Sequence, residues 1–301
     1  MLQSIRAFFA ARDVLEVDTP ALSSATVTDL HIESFKTRMQ QDYYLQTSPE
    51  YAMKRMLACG YPSIYQLGKV YRHEEQGPVH NPEFTMLEWY RVGLNYQQLI
   101  EEVIELLTQL SQQMNNDVAV ERLSYQQAFI KAIDLDPLHT SVEECRHCCI
   151  LQQLDIPEGM NDDNVDEWLD WLLTQRVAPS FSTTSFTVLY DYPASQCALA
   201  TVNKAKNIAE RFEVFFGELE LANGFNELTD ADEQRARFEN DNNKREKAGL
   251  EKMPIDEKFL AALEAGMPEC AGVAIGLDRL LMVLTGKSCI SEVLAFPFDR
   301  V

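Results

Sequence analysis

A chain of 301 residues, 46% hydrophobic and 24% charged, has the composition of an ordinary globular protein and can bury a substantial core. Its 26 Lys and Arg against 47 Asp and Glu give a formal charge of -21, which disfavours broad nucleic-acid binding, because counterion release needs a net basic face. The seven cysteines leave an odd one, as expected of reduced cytosolic thiols, and no apolar run approaches membrane-spanning length.

The opening MLQSIRAFFAARD has neither a long apolar core nor a cleavage site, so a soluble cytoplasmic protein is expected. Leu2, Ile5, Phe8 and Phe9 recur at helical spacing and predict an amphipathic helix ending near Asp13. Val14, Leu15 and Val17 predict a short strand running into Pro20, and Leu30 to Thr37 and Tyr43 to Leu45 predict two more. Ser48, Pro49 and Glu50 form a helix start, with a capping hydroxyl, a proline for the first turn and an acid at the positive end; Gly60 should end that helix. Tyr65 to Arg72 and Glu83 to Arg91 alternate as two strands of an antiparallel hairpin, with Phe84, Met86, Glu88 and Tyr90 on one face.

The loop between these arms carries His73, Glu74, Glu75, His80 and Asn81 and is too long and polar for a simple reversal. Leu99 to Met114 reads as a helix, and about 115–180 as a partly helical elaboration within a single 1–301 domain. FTVLYDYP and RFEVFFGELELANGF read as strands, and Asp230 to Lys247 as a charged helix. AGVAIGLDRLLMVLTG reads as a strand turning into a helix, and EVLAFPFDR as a last strand. Helices inserted between antiparallel runs favour an α+β fold over a doubly wound parallel sheet, and no glycine-rich phosphate loop is present.

Arg72 at the hairpin tip and Arg279 just after Gly276 each sit at the end of a regular element; two such arginines suggest a polyphosphate, an ion pair being the alternative for either. Glu213 and Glu220 flank Phe215 and Phe216 and suit magnesium, unless they belong to a solvated acidic face. Glu227, brought back by a tight ANGF turn, would join Glu88 and Tyr90 in an acidic pocket selecting an ammonium group. Cys145, His147, Cys148 and Cys149 lack a second pair at zinc spacing and read as structural.

LEVDTP, YRHEEQGPVHNPEFTMLEWY and GVAIGLDRL resemble, in order, the three signature motifs of class II aminoacyl-tRNA synthetases, over nearly the whole chain. NPEFTMLEWY, TSPEYAMKR and ELANGFNELTDADEQ are similar to the lysyl-tRNA synthetase branch. The chain starts almost at the first motif, so the anticodon-binding OB domain is expected to be missing. In this it resembles the stand-alone paralogues that attach (R)-β-lysine to a lysine of elongation factor P. The resemblance implies a class II catalytic fold, an antiparallel sheet flanked by helices, and an ATP- and Mg2+-dependent ligase that is a homodimer through LEVDTP, with tRNA an unlikely partner.

It further implies that Arg72 contacts the α-phosphate, Glu74 the adenine amino group and Arg279 the γ-phosphate. His73, His80 and Asn81 would touch ATP, Phe84 would stack on adenine, and Glu220, Leu221 and Gly276 would line the nucleotide. Glu213 and Glu220 would hold the metal. Ser48, Pro49 and Glu50 would bind the amino-acid end of the substrate, and Tyr90, Glu88 and Glu227 its side-chain ammonium. Ser48 stands where the synthetases usually have alanine, and Ala274 where they have glycine; Ala274 should crowd an α-amino group and favour β-lysine. Val79 replaces a residue that is basic in the synthetases and removes one phosphate contact. The competing readings are a truncated lysyl-tRNA synthetase-like enzyme charging tRNA or a small amine, an asparagine synthetase-like amide former, which would need a cationic pocket, and an inactive paralogue, which would lose ATP contacts.

Overall fold

The structure is a computed structural model describing residues 1–73 and 75–301. Two compact units divide the chain: residues 1–95 with 227–301, and residues 96–226.

In the first unit, strands Leu15–Glu16, Ile64–Tyr71, Glu83–Val92 and Cys270–Gly276 lie side by side in that order. The Leu15–Glu16 pairing is parallel and the others antiparallel. The alternation in the hairpin arms sets the register: Gln66 faces Glu88, which faces Ala274, and Ile64, Tyr90 and Gly272 form the next row. Phe84, Met86, Glu88 and Tyr90 therefore share a face, as their spacing predicts.

The opposite face carries Tyr65, Leu67, Leu87, Trp89 and Ile275 and is apolar. Helix Leu2–Ala10 covers it, with Phe9 stacked on Tyr65 at 4.4 Å and edge-on to Trp89 at 5.3 Å. With one face closed by aromatics, the polar row is left for chemistry.

Helix Glu50–Ala58 packs on helix Glu257–Gly266, where Tyr51 stacks on Phe259 at 4.8 Å. The latter helix was not visible in the sequence pattern. Asp230 caps helix Ala231–Lys247 by accepting from the Glu233 N–H.

Three local expectations are corrected here. Of Leu30 to Thr37, only the end is strand, in Lys36–Arg38, because the His31 N–H is taken by the Asp29 side chain in a local turn. Helix Glu50–Ala58 has Pro49, not Ser48, at its N-cap, although the Ser48 hydroxyl does accept the Glu50 N–H at 3.0 Å. EVLAFPFDR forms no strand: Ile290–Glu292 and Phe298–Arg300 are 3-10 turns, and Pro297 lacks the N–H a ladder needs.

In the second unit, strands Leu219–Asn226, Ile208–Phe216, Ser185–Pro193 and Ala119–Ser124 follow one another, with Val202–Asn203 beside Ile208–Phe216. Ala119–Ser124 pairs in parallel and the rest are antiparallel. The ANGF segment is not a turn: it lies inside Leu219–Asn226, and the chain reverses at Gly217, whose φ of 56° glycine tolerates.

Ser124 with Gln127 and Ser141 with Glu144 form capping boxes that start helices Tyr125–Ile133 and Val142–Leu151. Cys145, Cys148 and Cys149 are buried there among Phe129, Trp168 and Leu172, and no three-ligand metal cluster exists among the described residues. The described residues also contain no helix long and apolar enough to cross a membrane.

Candidate active site

Glu88 is buried on the open face of the hairpin, 2% exposed, and both its oxygens are held. Tyr90 donates its hydroxyl to Oε1 at 2.7 Å, and Ser48 donates to Oε2 at 2.8 Å. Ser48 thus fixes a carboxylate as well as the helix start.

Glu227 is tied by its backbone N–H to the carbonyl of Cys270 at 3.0 Å, so strand pairing and not a turn brings it beside Tyr90. Between Glu227 and Glu50 stands Lys54, which is fully buried. Its Nζ lies 2.5 Å from Glu50 Oε1 and 2.5 Å from Glu227 Oε2.

Burial pushes the carboxyls of Glu88 and Glu227 well above the ordinary range, and the nearby charge of Glu50 pushes them further. The Lys54 ammonium pulls both down, and the Tyr90 and Ser48 hydroxyls do the same for Glu88. Burial and then Glu88 raise the Tyr90 phenol, so it stays a donor. A buried acid cluster of this kind is complementary to positive charge when its carboxyls are ionised.

Gly272 lets Glu227 and Tyr90 pack directly against the strand backbone: a Cβ there would overlap Glu227 Oε1 and the Tyr90 ring. Along the same strand face, Ala274 is the one methyl between Gly272 and Gly276, directly opposite Glu88. Gln66, on Glu88's other side, is 3% exposed and its Oε1 has no hydrogen-bond partner among the described residues.

The hairpin loop forms the other end of the site. Arg72 donates Nη1 to Glu75 Oε1 at 2.9 Å, and its guanidinium sits 5.3 Å from the Phe84 ring centroid. Arg279 donates Nε to the Val79 carbonyl at 3.1 Å, so Val79 contributes through its backbone. Burial and the Arg279 charge lower the His80 pKa and favour neutral imidazole. Asn81 holds the Glu83 carbonyl at 2.6 Å and accepts the Phe298 N–H at 3.0 Å, while the His73 ring meets Phe35 at 5.0 Å. Gly276 is the N-cap of helix Leu277–Thr285, whose Asp278 accepts the Thr85 N–H at 2.6 Å. Glu74 lies outside the described residues.

Glu213, Glu220 and Leu221 belong to the second unit. Glu213 accepts from Tyr192 at 2.6 Å and from Arg211, and Asn223 stands opposite it in the register. Glu220 faces Phe215 past a shift in that register, and Leu221 is buried. Asn223 Oδ1 is buried with no hydrogen-bond partner among the described residues, a hard oxygen acceptor beside Glu213 of the kind magnesium takes, although both Glu213 oxygens are already engaged by Tyr192 and Arg211.

Sequence reasoning missed Lys54, Gln66, Gly272 and Asp278. The Glu50–Lys54 spacing in EYAMK is a readable i,i+4 pair, but nothing local points to Glu227 as the second partner.

A mainly antiparallel strand set with an arginine-bearing hairpin and a strand-to-helix closing segment defines a class II synthetase-type catalytic domain. The family model for class II tRNA synthetases (D, K and N) matches residues 1–300. The chain belongs to this family. It is 48% identical to the elongation factor P--(R)-beta-lysine ligase of Proteus mirabilis, across 100% of this chain and 93% of that protein. The proteins of the same name from Vibrio cholerae and Yersinia enterocolitica are 48% and 47% identical, across 100% of this chain and 94% and 93% of theirs.

Proposed function

We propose that this chain is an ATP-dependent ligase that activates (R)-β-lysine as an aminoacyl adenylate and transfers it to a lysine side chain of elongation factor P. The observation that carries this reading is the buried cluster of Glu50, Glu88 and Glu227, complementary to a cationic amino acid, in a chain nearly half identical to ligases of that name. An amide former with an acidic side-chain substrate is disfavoured by the same cluster, which would repel it.

In the first step the substrate carboxylate attacks the α-phosphorus of ATP, forming the adenylate and releasing pyrophosphate. Arg72 stabilises the charge developing on that phosphate, and Arg279 binds the γ-phosphate. His73, Glu74, His80, Asn81, Phe84, Glu220, Leu221 and Gly276 complete nucleotide binding. Glu213 and Glu220 would hold magnesium, which would supply Lewis-acid neutralisation of phosphate charge. In the second step the acceptor amine attacks the adenylate carbonyl and AMP leaves. Positioning and electrostatics carry both steps, and no side chain becomes covalent.

Ser48, Pro49 and Glu50 bind the amino-acid end of the substrate, and Glu88, Tyr90 and Glu227 its side-chain ammonium. The working form is a cytoplasmic homodimer joined through the LEVDTP segment, and the formal charge of -21 opposes tRNA as acceptor.

ATP–pyrophosphate exchange with (R)-β-lysine and with α-lysine, followed by mass analysis of elongation factor P from the same mixture, tests this function. Exchange favouring β-lysine with a matching mass gain is expected. Exchange without a mass gain would discard the proposed acceptor and favour tRNA or a small amine.

The Ala274 methyl stands between two glycines on the site face and should exclude an amine at the α-carbon. Ala274→Gly is expected to narrow the β-lysine over α-lysine preference in kcat/KM by about 10-fold or more, the value of one methyl in a tight pocket. An unchanged ratio in side-by-side exchange assays would show that Ala274 does not set selectivity.

A further inference from the structure

We infer that Gln66 is a specificity-determining residue: a buried, neutral acceptor for the amine nearer the carboxylate of a diamino-acid substrate, set apart from the groups that take its terminal ammonium. This rests on reading the acidic pocket as the amino-acid site.

Gln66 belongs to strand Ile64–Tyr71, whose side chains alternate between the two faces of the sheet. Tyr65 and Leu67 lie on the face closed by helix Leu2–Ala10, so Gln66 between them stands on the open face, in one row with Glu88 and Ala274. Directly opposed residues have Cβ atoms about 5 Å apart, so the Gln66 amide and the Glu88 carboxylate border the same space.

Gln66 is 3% exposed, and its Oε1 has no hydrogen-bond partner among the described residues. A buried acceptor left unsatisfied is costly, and on a binding face it points to a donor that arrives with the ligand.

Gly68 shows where the amide lies. It is two residues along on the same face, and a Cβ there would stand 3.2 Å from Gln66 Nε2 and 3.9 Å from Gln66 Cδ. The φ of Gly68 is not positive, so its backbone does not call for glycine; the missing side chain leaves room for this amide. The Gln66 side chain therefore runs from the Glu88 row toward the row of Gly68 and Met86, the direction in which Phe84 and the hairpin loop lie. A substrate with its carboxylate toward Arg72 and its terminal ammonium at Glu88 and Tyr90 carries its second amine between them, alongside Gln66.

Neutrality suits an acceptor at this place. The charge of Glu50 already pushes the Glu88 carboxyl up, and another acid directly opposite Glu88 would add to that repulsion. An amide oxygen accepts from an ammonium without adding charge.

The test compares (R)-β-lysine with 6-aminohexanoic acid, which keeps the carboxylate and the terminal ammonium and lacks the second amine. ATP–pyrophosphate exchange gives the KM for (R)-β-lysine, and competitive inhibition of the same exchange gives the Ki for 6-aminohexanoic acid. Gln66→Met keeps the length of the side chain and loses the acceptor. It is expected to raise the KM for (R)-β-lysine about tenfold or more, with the Ki for 6-aminohexanoic acid and the KM for ATP within about twofold of wild type. Without ligand this variant should melt at or above the wild-type temperature, because it removes a buried acceptor that the protein leaves unsatisfied. An unchanged KM, or equal rises in KM and Ki, would make Gln66 a packing residue and overturn the inference.

Gln66→Glu keeps an oxygen acceptor on the same frame and should retain the discrimination against 6-aminohexanoic acid. It decides the matter should the methionine variant fail to fold, since lost discrimination in Gln66→Glu overturns the inference equally. If wild type exchanges with no diamino acid, the pocket reading itself falls, an outcome distinct from a failure of Gln66.

Discussion

Replacing Arg72 by alanine is expected to lower kcat for ATP–pyrophosphate exchange by about 100- to 1000-fold, the cost of removing one preorganised group that meets developing charge. The guanidinium is engaged by Glu75 at 2.9 Å and lies over Phe84. Both contacts hold the fork at the base of the hairpin loop, so a bound α-phosphate would meet a group already oriented. Arg72→Lys keeps the charge but loses the planar fork, and should fall between wild type and alanine. Steady-state exchange at saturating ATP measures this. A loss under tenfold in the alanine variant would remove Arg72 from the phosphate and leave it as a partner of Glu75.

The second large effect is expected at Gly272. A methyl there overlaps Glu227 Oε1 and the Tyr90 ring, and neither can retreat: both are buried, and Glu227 is also ion-paired with Lys54. Gly272→Ala should cost about 1–3 kcal/mol in overpacking and displace Glu227 from the pocket. The KM for the amino-acid substrate should rise at least about tenfold, with the KM for ATP little changed. Thermal unfolding with exchange kinetics on the same preparation separates the two components. A normal KM with a lowered Tm would place Gly272 in the core and outside the pocket wall.

These two residues differ in how visible they are. Arg72 ends a strand of clear alternation beside a loop of polar and turn residues, and that pattern alone marks it. Gly272 precedes Val273 in an apolar run, and nothing nearby says that its missing side chain matters. Its role exists only because strand pairing sets it opposite Tyr90. Ala274 lay between these extremes: the family pattern drew attention to it, and the register put it against Glu88.

By itself, the sequence determined what depends on neighbours a few residues apart. The hairpin face with Phe84, Met86, Glu88 and Tyr90, the helix after Pro49 and the strand turning into a helix at Gly276 all follow from local periodicity. The order of the three motifs likewise fixed the family.

Tertiary structure alone decided which distant groups meet. Glu227 reaches the pocket through a backbone bond to Cys270, not through a turn at ANGF, and Lys54 becomes an internal cation only because Glu227 arrives beside it. The segment from Glu292 to Arg300 forms no strand although its apolar run has a strand's length. Periodicity encodes a face. It does not encode a partner, because the free energy of an ion pair or a ladder depends on groups far along the chain and on the water removed when they pack.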